Sequence, residues 1–199
     1  MFTVYLAGPE VFLPSATDVG RQKKDICARY NLRGLFPLDK DVTTAHRSPK
    51  DIGAAIYDAN IDLIQQADGL IANMTPFRGP SMDVGTAFEV GFAVAQKKPV
   101  FGYSNVTGTL VERVLGRPQL FEFDTSVMDI DGLEIENFDY VENLMIEVPI
   151  RRTMGTILVG DTLHHARFTD LKTFEQCVRL AADHLVGQTP TISRSRVRG

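Results

Sequence analysis

The chain lacks an excess of positive charge. Its 21 lysines and arginines face 25 aspartates and glutamates, for a net charge of −4. A polyanion- or membrane-binding face needs a basic field, so nothing here supports a nucleic-acid or membrane-surface role. The one basic cluster, SRSRVRG at 193–199, reads as a solvated and disordered tail beyond residue 186. Cysteine is scarce as well. Cys27 and Cys177 stand far apart in no metal-like spacing and read as free core thiols of a reducing compartment, with a single disulfide as the alternative. No stretch reaches the roughly 18 continuous apolar residues of a membrane span. The first residues enter a strand pattern at once, so no signal peptide is expected and the expected location is cytoplasmic.

Familiar ligand motifs are missing too. There is no G-x-x-x-x-G-K-[ST] phosphate loop and no G-x-G-x-x-G directly after a strand. No G-x-S-x-G elbow occurs, and the four histidines (46, 164, 165 and 184) show no H-E-x-x-H spacing, so no metal site is expected. His164-His165 reads as an exposed loop pair. With these excluded, carboxylates are the leading chemical candidates.

What is present is a regular alternation. FTVYLAG (2–8) is an apolar, β-branched run closed by Gly8-Pro9, hence a buried strand and a turn. A helix is expected over 15 to about 30, with Ser15 or Thr17 as its cap, then a brief strand GLFPL (34–38). After a polar loop, apolar residues at helical intervals predict a helix over 51–66. GLIANM (69–74) and PVFGYSN (99–105) read as strands covered on both faces, with a helix over about 83–97 between them. Residues 106–136 read as an insertion with a short helix near 109–115. Beyond it, 142–150 opens a helix, TILVG (156–160) is a fifth strand, and a last helix spans 169–186, capped at Thr169. The expectation is one α/β domain over 1–186: an open, mostly parallel sheet of about five strands with helices on both faces.

Ligands of such sheets bind beyond the carboxyl ends of the strands. Those positions hold GPEVF, the 75–82 loop and SNVTG. Glu89 stands alone in the apolar run Ala87–Ala95, whose residues point in nearly every direction around a helix, as in a buried one. Most glutamates are exposed, but a buried one in a cleft is a candidate for tuned chemistry. Asp83 suits a helix N-cap, worth about 1 kcal/mol. Asp68 suits a turn at the amino end of its strand, the wrong edge for a ligand unless that strand starts earlier. Tyr5 suits the core. On an ideal helix, six residues set Asp83 and Glu89 about 120° and roughly 9 Å apart, so the turn must bring Asp83 round.

VYLAGPEVFLP (4–14), TPFRGPSMDVGTAFEVGFAVAQKKPVFGY (75–103) and ENLMI (142–146) together resemble the nucleoside 2-deoxyribosyltransferase family over about residues 2–150. The run R-G-P-S-x-D-x-G-T-A-x-E-x-G is the most specific part. The resemblance implies a flavodoxin-like fold, no cofactor, and base exchange between 2′-deoxynucleosides and free nucleobases with retention at the anomeric carbon, purines favoured. It makes Glu89 the nucleophile, forming a covalent deoxyribosyl ester in the manner of a retaining glycosidase. Tyr5 would orient Glu89, Asp68 would protonate the leaving base and Asp83 would hold sugar hydroxyls. Gly8 and Phe12, in the GPEVF turn, join the substrate-binding set. Asn143 would reach the sugar 5′ end from a neighbouring subunit of a homo-oligomer, with Met145 beside it. The 106–136 insertion is a candidate lining for the base pocket. The nearest rival is a 2′-deoxynucleoside 5′-phosphate N-glycosidase, which hands the ester to water. A rival of another class is a non-catalytic nucleotide-sensing module.

Overall fold

In the computed structural model, residues 1–40, 42–45, 47–116, 127–153 and 155–187 are described. Of the expected tail over 187–199, Gly187 ends the last helix and the remainder lies outside them. In chain order the elements are β1 (Phe2–Ala7), α1 (Ala16–Arg29), β2 (Leu32–Leu35), α2 (Pro49–Gln66), β3 (Gly69–Asn73), α3 (Val84–Ala95), β4 (Val100–Ser104), α4 (Leu110–Leu115), β5 (Val127–Met128), β6 (Glu134–Ile135), α5 (Leu144–Arg152), β7 (Ile157–Val159) and α6 (Lys172–Gly187).

Five strands form one sheet in the order β2-β1-β3-β4-β7, every neighbouring pair parallel. This is the flavodoxin-like order, with its reversal between β1 and β3. Strand alternation sorts side chains to two faces. Val4 and Leu6 of β1, with Phe101 and Tyr103 of β4, join Phe174, Cys177 and Val178 of α6 on one face. Tyr5 and Ala7, with Leu70 and Ala72 of β3, join Leu63 and Ile64 of α2 and Val90 and Ala93 of α3 on the other. Full burial of one such aliphatic or aromatic side chain stabilises the fold by about 1.5–3 kcal/mol. Both cysteines are free and lie in the α6-side core.

Three local expectations change. The second strand is Leu32–Leu35 and stops before Pro37, which has no N–H for a ladder and instead opens a 3-10 turn over Pro37–Asp39. The last helix begins at Lys172 rather than 169. Thr169 does not cap it: its hydroxyl donates to the Ala166 carbonyl, while Asp170 accepts the Lys172 N–H. Finally, α3 is not buried all round. Val84 is 85% and Phe88 50% exposed, and Gly91 and Ala95 continue that stripe, so its apolar excess lies partly on the surface. Among the described residues, no helix is long and apolar enough to cross a membrane.

Candidate active site

The carboxyl ends of β1 and β2 and the amino end of α3 border a cavity of about 500 Å³, closed on one side by α2. Gly8, Phe12, Asp83, Gly85, Thr86 and Glu89 all line it. Gly8 matters for its lack of a side chain. A Cβ there would fall 2.0 Å from Glu10 Oε2 and 2.9 Å from Asn73 Cβ.

Tyr5 points to the α3 side because it occupies the odd positions of β1, and its hydroxyl donates to Glu89 Oε1 at 2.6 Å. Glu89 is partly buried, and burial raises its pKa from 4.5 to about 7. The Tyr5 hydrogen bond opposes that rise by favouring the carboxylate, and the Asp83 charge adds to it. Tyr5 itself is held well above its usual range by burial and then by the Glu89 charge, so it stays a donor.

Asp83 caps α3, as its sequence position suggested. It precedes the first turn of α3 with extended backbone (φ −61°, ψ 132°), and Oδ2 accepts from Thr86 N at 2.9 Å and Thr86 Oγ1 at 3.0 Å. Because it lies just off the helix, its side chain turns toward the cavity that Glu89 also lines. The loop before it is braced from α5's approach: buried Glu142 accepts from Ser81 Oγ at 2.6 Å and Met82 N at 2.9 Å.

Other expected residues lie elsewhere. Asp68 is exposed at the amino end of β3, where Oδ2 accepts the Thr3 N–H at 2.7 Å. It does not line the cavity, so the expectation that it protonates a leaving base is corrected: β3 starts at Gly69, which leaves Asp68 on the edge opposite the cavity. Asn143 caps α5, its Oδ1 accepting from Met145 N at 2.9 Å and its Nδ2 donating to Glu136 at 2.9 Å. Neither Asn143 nor Met145 lines this chain's own cavity, and Met145 is 71% exposed. The described part of 106–136 does not line it either; residues 117–126 lie outside the description. Phe12 stands at the mouth, stacked on Phe77 at 5.3 Å, with the Arg78 guanidinium over both rings.

The sequence reading missed two features. Asn60 of α2 lines the cavity, and its Oδ1 is buried without a hydrogen-bond partner. The signal for it was a polar residue continuing the Ile52–Ile56 stripe at four-residue spacing. Behind Gly8, Glu10 and Lys23 form a fully buried ion pair at 2.7 Å. Asn73 Nδ2 and the Tyr103 hydroxyl, each at 3.0 Å, donate to the same Glu10 oxygen. Among the described residues, no cluster of His, Cys, Asp and Glu is arranged to hold a metal.

Comparison with known proteins gives a consistent picture. The family model "Nucleoside 2-deoxyribosyltransferase" matches residues 4–145. An uncharacterized protein of Schizosaccharomyces pombe is 30% identical over 194 residues, covering 91% of each chain. A solved 2-desoxiribosyltransferase from Leishmania mexicana superposes with a TM-score of 0.58 at 33% identity, covering 73% of this chain and 85% of that one. A conserved protein from Enterococcus faecalis V583 shares the fold at 17% identity, with a TM-score of 0.53 and coverage of 91% and 99%.

Proposed function

Because the chain belongs to the nucleoside 2-deoxyribosyltransferase family, we propose that it exchanges the base of 2′-deoxynucleosides, purines preferred, through a covalent deoxyribosyl–Glu89 ester. The observation that carries this reading is the Tyr5–Glu89 hydrogen bond inside a cavity of nucleoside size. A tyrosine that stays protonated aims one carboxylate oxygen and leaves the other free to attack C1′. The C1′–O bond forms as the C1′–N bond breaks, and that bond's electrons leave with the base. A second base then attacks C1′, and Glu89 departs as carboxylate. Two inversions give retention. The state between is oxocarbenium-like, and a deoxyribose, having no 2′-hydroxyl to withdraw electrons, reaches it more easily.

Asp83, fixed by Thr86 at the helix start, is placed to accept hydrogen bonds from sugar hydroxyls. Gly8 and Gly85 let the sugar approach backbone closely. Phe12 offers an apolar surface at the mouth. With Asp68 on the far edge, the departing base takes its proton from water. Met145 is exposed, and the reading includes a homo-oligomer in which Asn143 and Met145 of one copy reach the cavity of another. A pure sensing module has no need of a carboxyl with a pKa lifted to about 7 beside a donor tyrosine.

Incubation with deoxyinosine, with and without adenine, tests the reading by product chromatography. Deoxyadenosine formed only when adenine is present is the expected result. Deoxyribose released equally in both arms identifies a hydrolase, and no product in either overturns catalysis on this substrate.

A further inference from the structure

Glu142 is 1% exposed, yet it does not line the cavity. Both of its oxygens are occupied by groups from three separate parts of the chain. Oε1 accepts from Ser81 Oγ at 2.6 Å and from Asn143 N at 3.0 Å. Oε2 accepts from Met82 N at 2.9 Å and lies 3.7 Å from Arg113 Nη2. Arg113 belongs to α4, inside the 106–136 insertion, and its guanidinium donates to three carbonyls. Nε reaches Pro80 at 2.6 Å, Nη1 reaches Gly108 at 2.8 Å, and Nη2 reaches Val141. A planar fork can tie three such strands of backbone together where a flexible ammonium cannot. Glu147, also fully buried, completes the knot by accepting from Val141 N at 2.8 Å and Glu142 N at 3.2 Å. Interior carboxylates are costly unless they are paired and hydrogen-bonded, and this one is both.

What the knot grips is the peptide in front of Asp83. Met82 N and Ser81 Oγ are fixed by Glu142, and the Pro80 carbonyl by Arg113. Asp83 itself has Oδ2 committed to Thr86 N and Thr86 Oγ1, so Oδ1 is the oxygen left for a ligand in the cavity. Its direction depends on the backbone that enters α3, and a misplacement of about 1 Å in such a group is enough to weaken a contact severely. We propose that Glu142, locked by Arg113, is a positioning residue for Asp83 and so for the sugar hydroxyl that Asp83 holds. The inference rests on the nucleoside reading above and adds a residue to it. It also gives the insertion a role from behind the site: α4 acts through Arg113 on the loop, without lining the cavity.

The test uses full-length E89Q protein, which binds nucleosides without turning them over, and calorimetry with three ligands. These are 2′-deoxyadenosine and its analogues lacking one hydroxyl, 2′,3′-dideoxyadenosine and 2′,5′-dideoxyadenosine. E89Q should bind 2′-deoxyadenosine about tenfold or more tightly than the analogue missing the hydroxyl that Asp83 holds. E89Q/D83A identifies that hydroxyl, because there the preference should fall to near onefold. E89Q/E142Q should keep a preference of only about threefold or less, since a carboxamide accepts at one of the two oxygen positions and donates at the other. If E89Q/E142Q does not fold by circular dichroism, E89Q/S81A takes its place. That variant removes one contact to the loop, leaves the Asn143 contact intact and should lower the preference by about twofold. In E89Q/D83A/E142Q the affinity for 2′-deoxyadenosine should stay within about twofold of E89Q/D83A, because Glu142 acts through Asp83. A merely structural role would lower affinity again in that background. Such a further loss, an unmoved preference in the folded loop variant, or equal binding of all three ligands by E89Q overturns the inference and leaves base exchange standing. Failure of wild type to exchange any base, together with no nucleoside binding by E89Q, overturns the parent reading instead.

Discussion

Glu89 and Glu10 are two interior carboxylates on opposite faces of the same sheet, and each receives a hydroxyl from a buried tyrosine. Tyr5 donates to Glu89 at 2.6 Å and Tyr103 to Glu10 at 3.0 Å. The difference is a cation. Lys23 lies 2.7 Å from Glu10, with Asn73 adding a further donor, whereas Glu89 has the tyrosine alone and opens on a cavity. Glu10 is therefore neutralised and sealed behind Gly8, a strut for the cavity wall. Glu89 is left with an under-compensated charge and a pKa lifted to about 7. Interior acids become reactive where the protein withholds a counter-charge.

Removing each acid should break this comparison in opposite directions. The largest effect is expected for Glu89→Ala, which deletes the proposed nucleophile: exchange followed by chromatography should fall by at least about 10³-fold while the fold survives. Near-normal turnover by the folded variant would end the nucleophile assignment. Glu10→Ala should act on stability instead, costing about 3–5 kcal/mol in urea unfolding because Lys23 is stranded without a partner. Glu10→Leu combined with Lys23→Met should recover most of that loss, since an apolar pair leaves no buried charge.

A third effect concerns pH. Below about 4.5 the Glu89 carboxyl is protonated in folded and unfolded chains alike. Between there and about 7 the unfolded chain releases its proton while the folded chain holds it, so wild type loses stability as pH rises. Glu89→Gln avoids this loss. It should be more stable than wild type by about 3 kcal/mol at pH 8 and no different at pH 4, measured by urea midpoints at both values. Activity should run the other way, rising with pH through about 7 as the nucleophile ionises. Tyr5→Phe removes the bond that favours the carboxylate, so the rising limb should shift to higher pH and the rate fall by roughly tenfold. An unmoved limb would mean that the hydroxyl does not tune Glu89. The smallest effect is expected at the cap: Asp83→Asn keeps an acceptor for Thr86 and should cost under about 1 kcal/mol, whereas Asp83→Ala should cost roughly that amount.

Much of the fold was legible because its signals are local. Apolar β-branched runs closed by turn residues marked β1, β3 and β4, and helical spacing marked α2 and α3. The residues that failed are those whose meaning depends on an edge or on the far end of the chain. Asp68 carries the right chemistry for a site acid, yet one residue of strand boundary places it on the opposite edge of the sheet. The apolar run of α3 pointed to full burial, but spacing alone does not say which stripe a neighbouring element covers. Glu10 passed unnoticed because its partners Lys23, Asn73 and Tyr103 are scattered over the sequence, and so did Asn60, whose unpaired oxygen is visible only once the cavity exists.

The sequence by itself determined the alternation of strands and helices and, through the resemblance carried by R-G-P-S-x-D-x-G-T-A-x-E-x-G, the family and Glu89 as the candidate nucleophile. The alternation depends on residue type and spacing along the chain, which turn chemistry and side-chain period read directly; the family and its nucleophile come from the resemblance of a specific run of residues. Only the tertiary structure decided that Asp83 faces Glu89's cavity while Asp68 does not, and that Glu10 is paired with Lys23 while Glu89 takes a hydrogen bond from Tyr5. The reason is electrostatic: a carboxylate's behaviour is set within a few ångströms by its burial and its nearest charge, and chain folding chooses that neighbour.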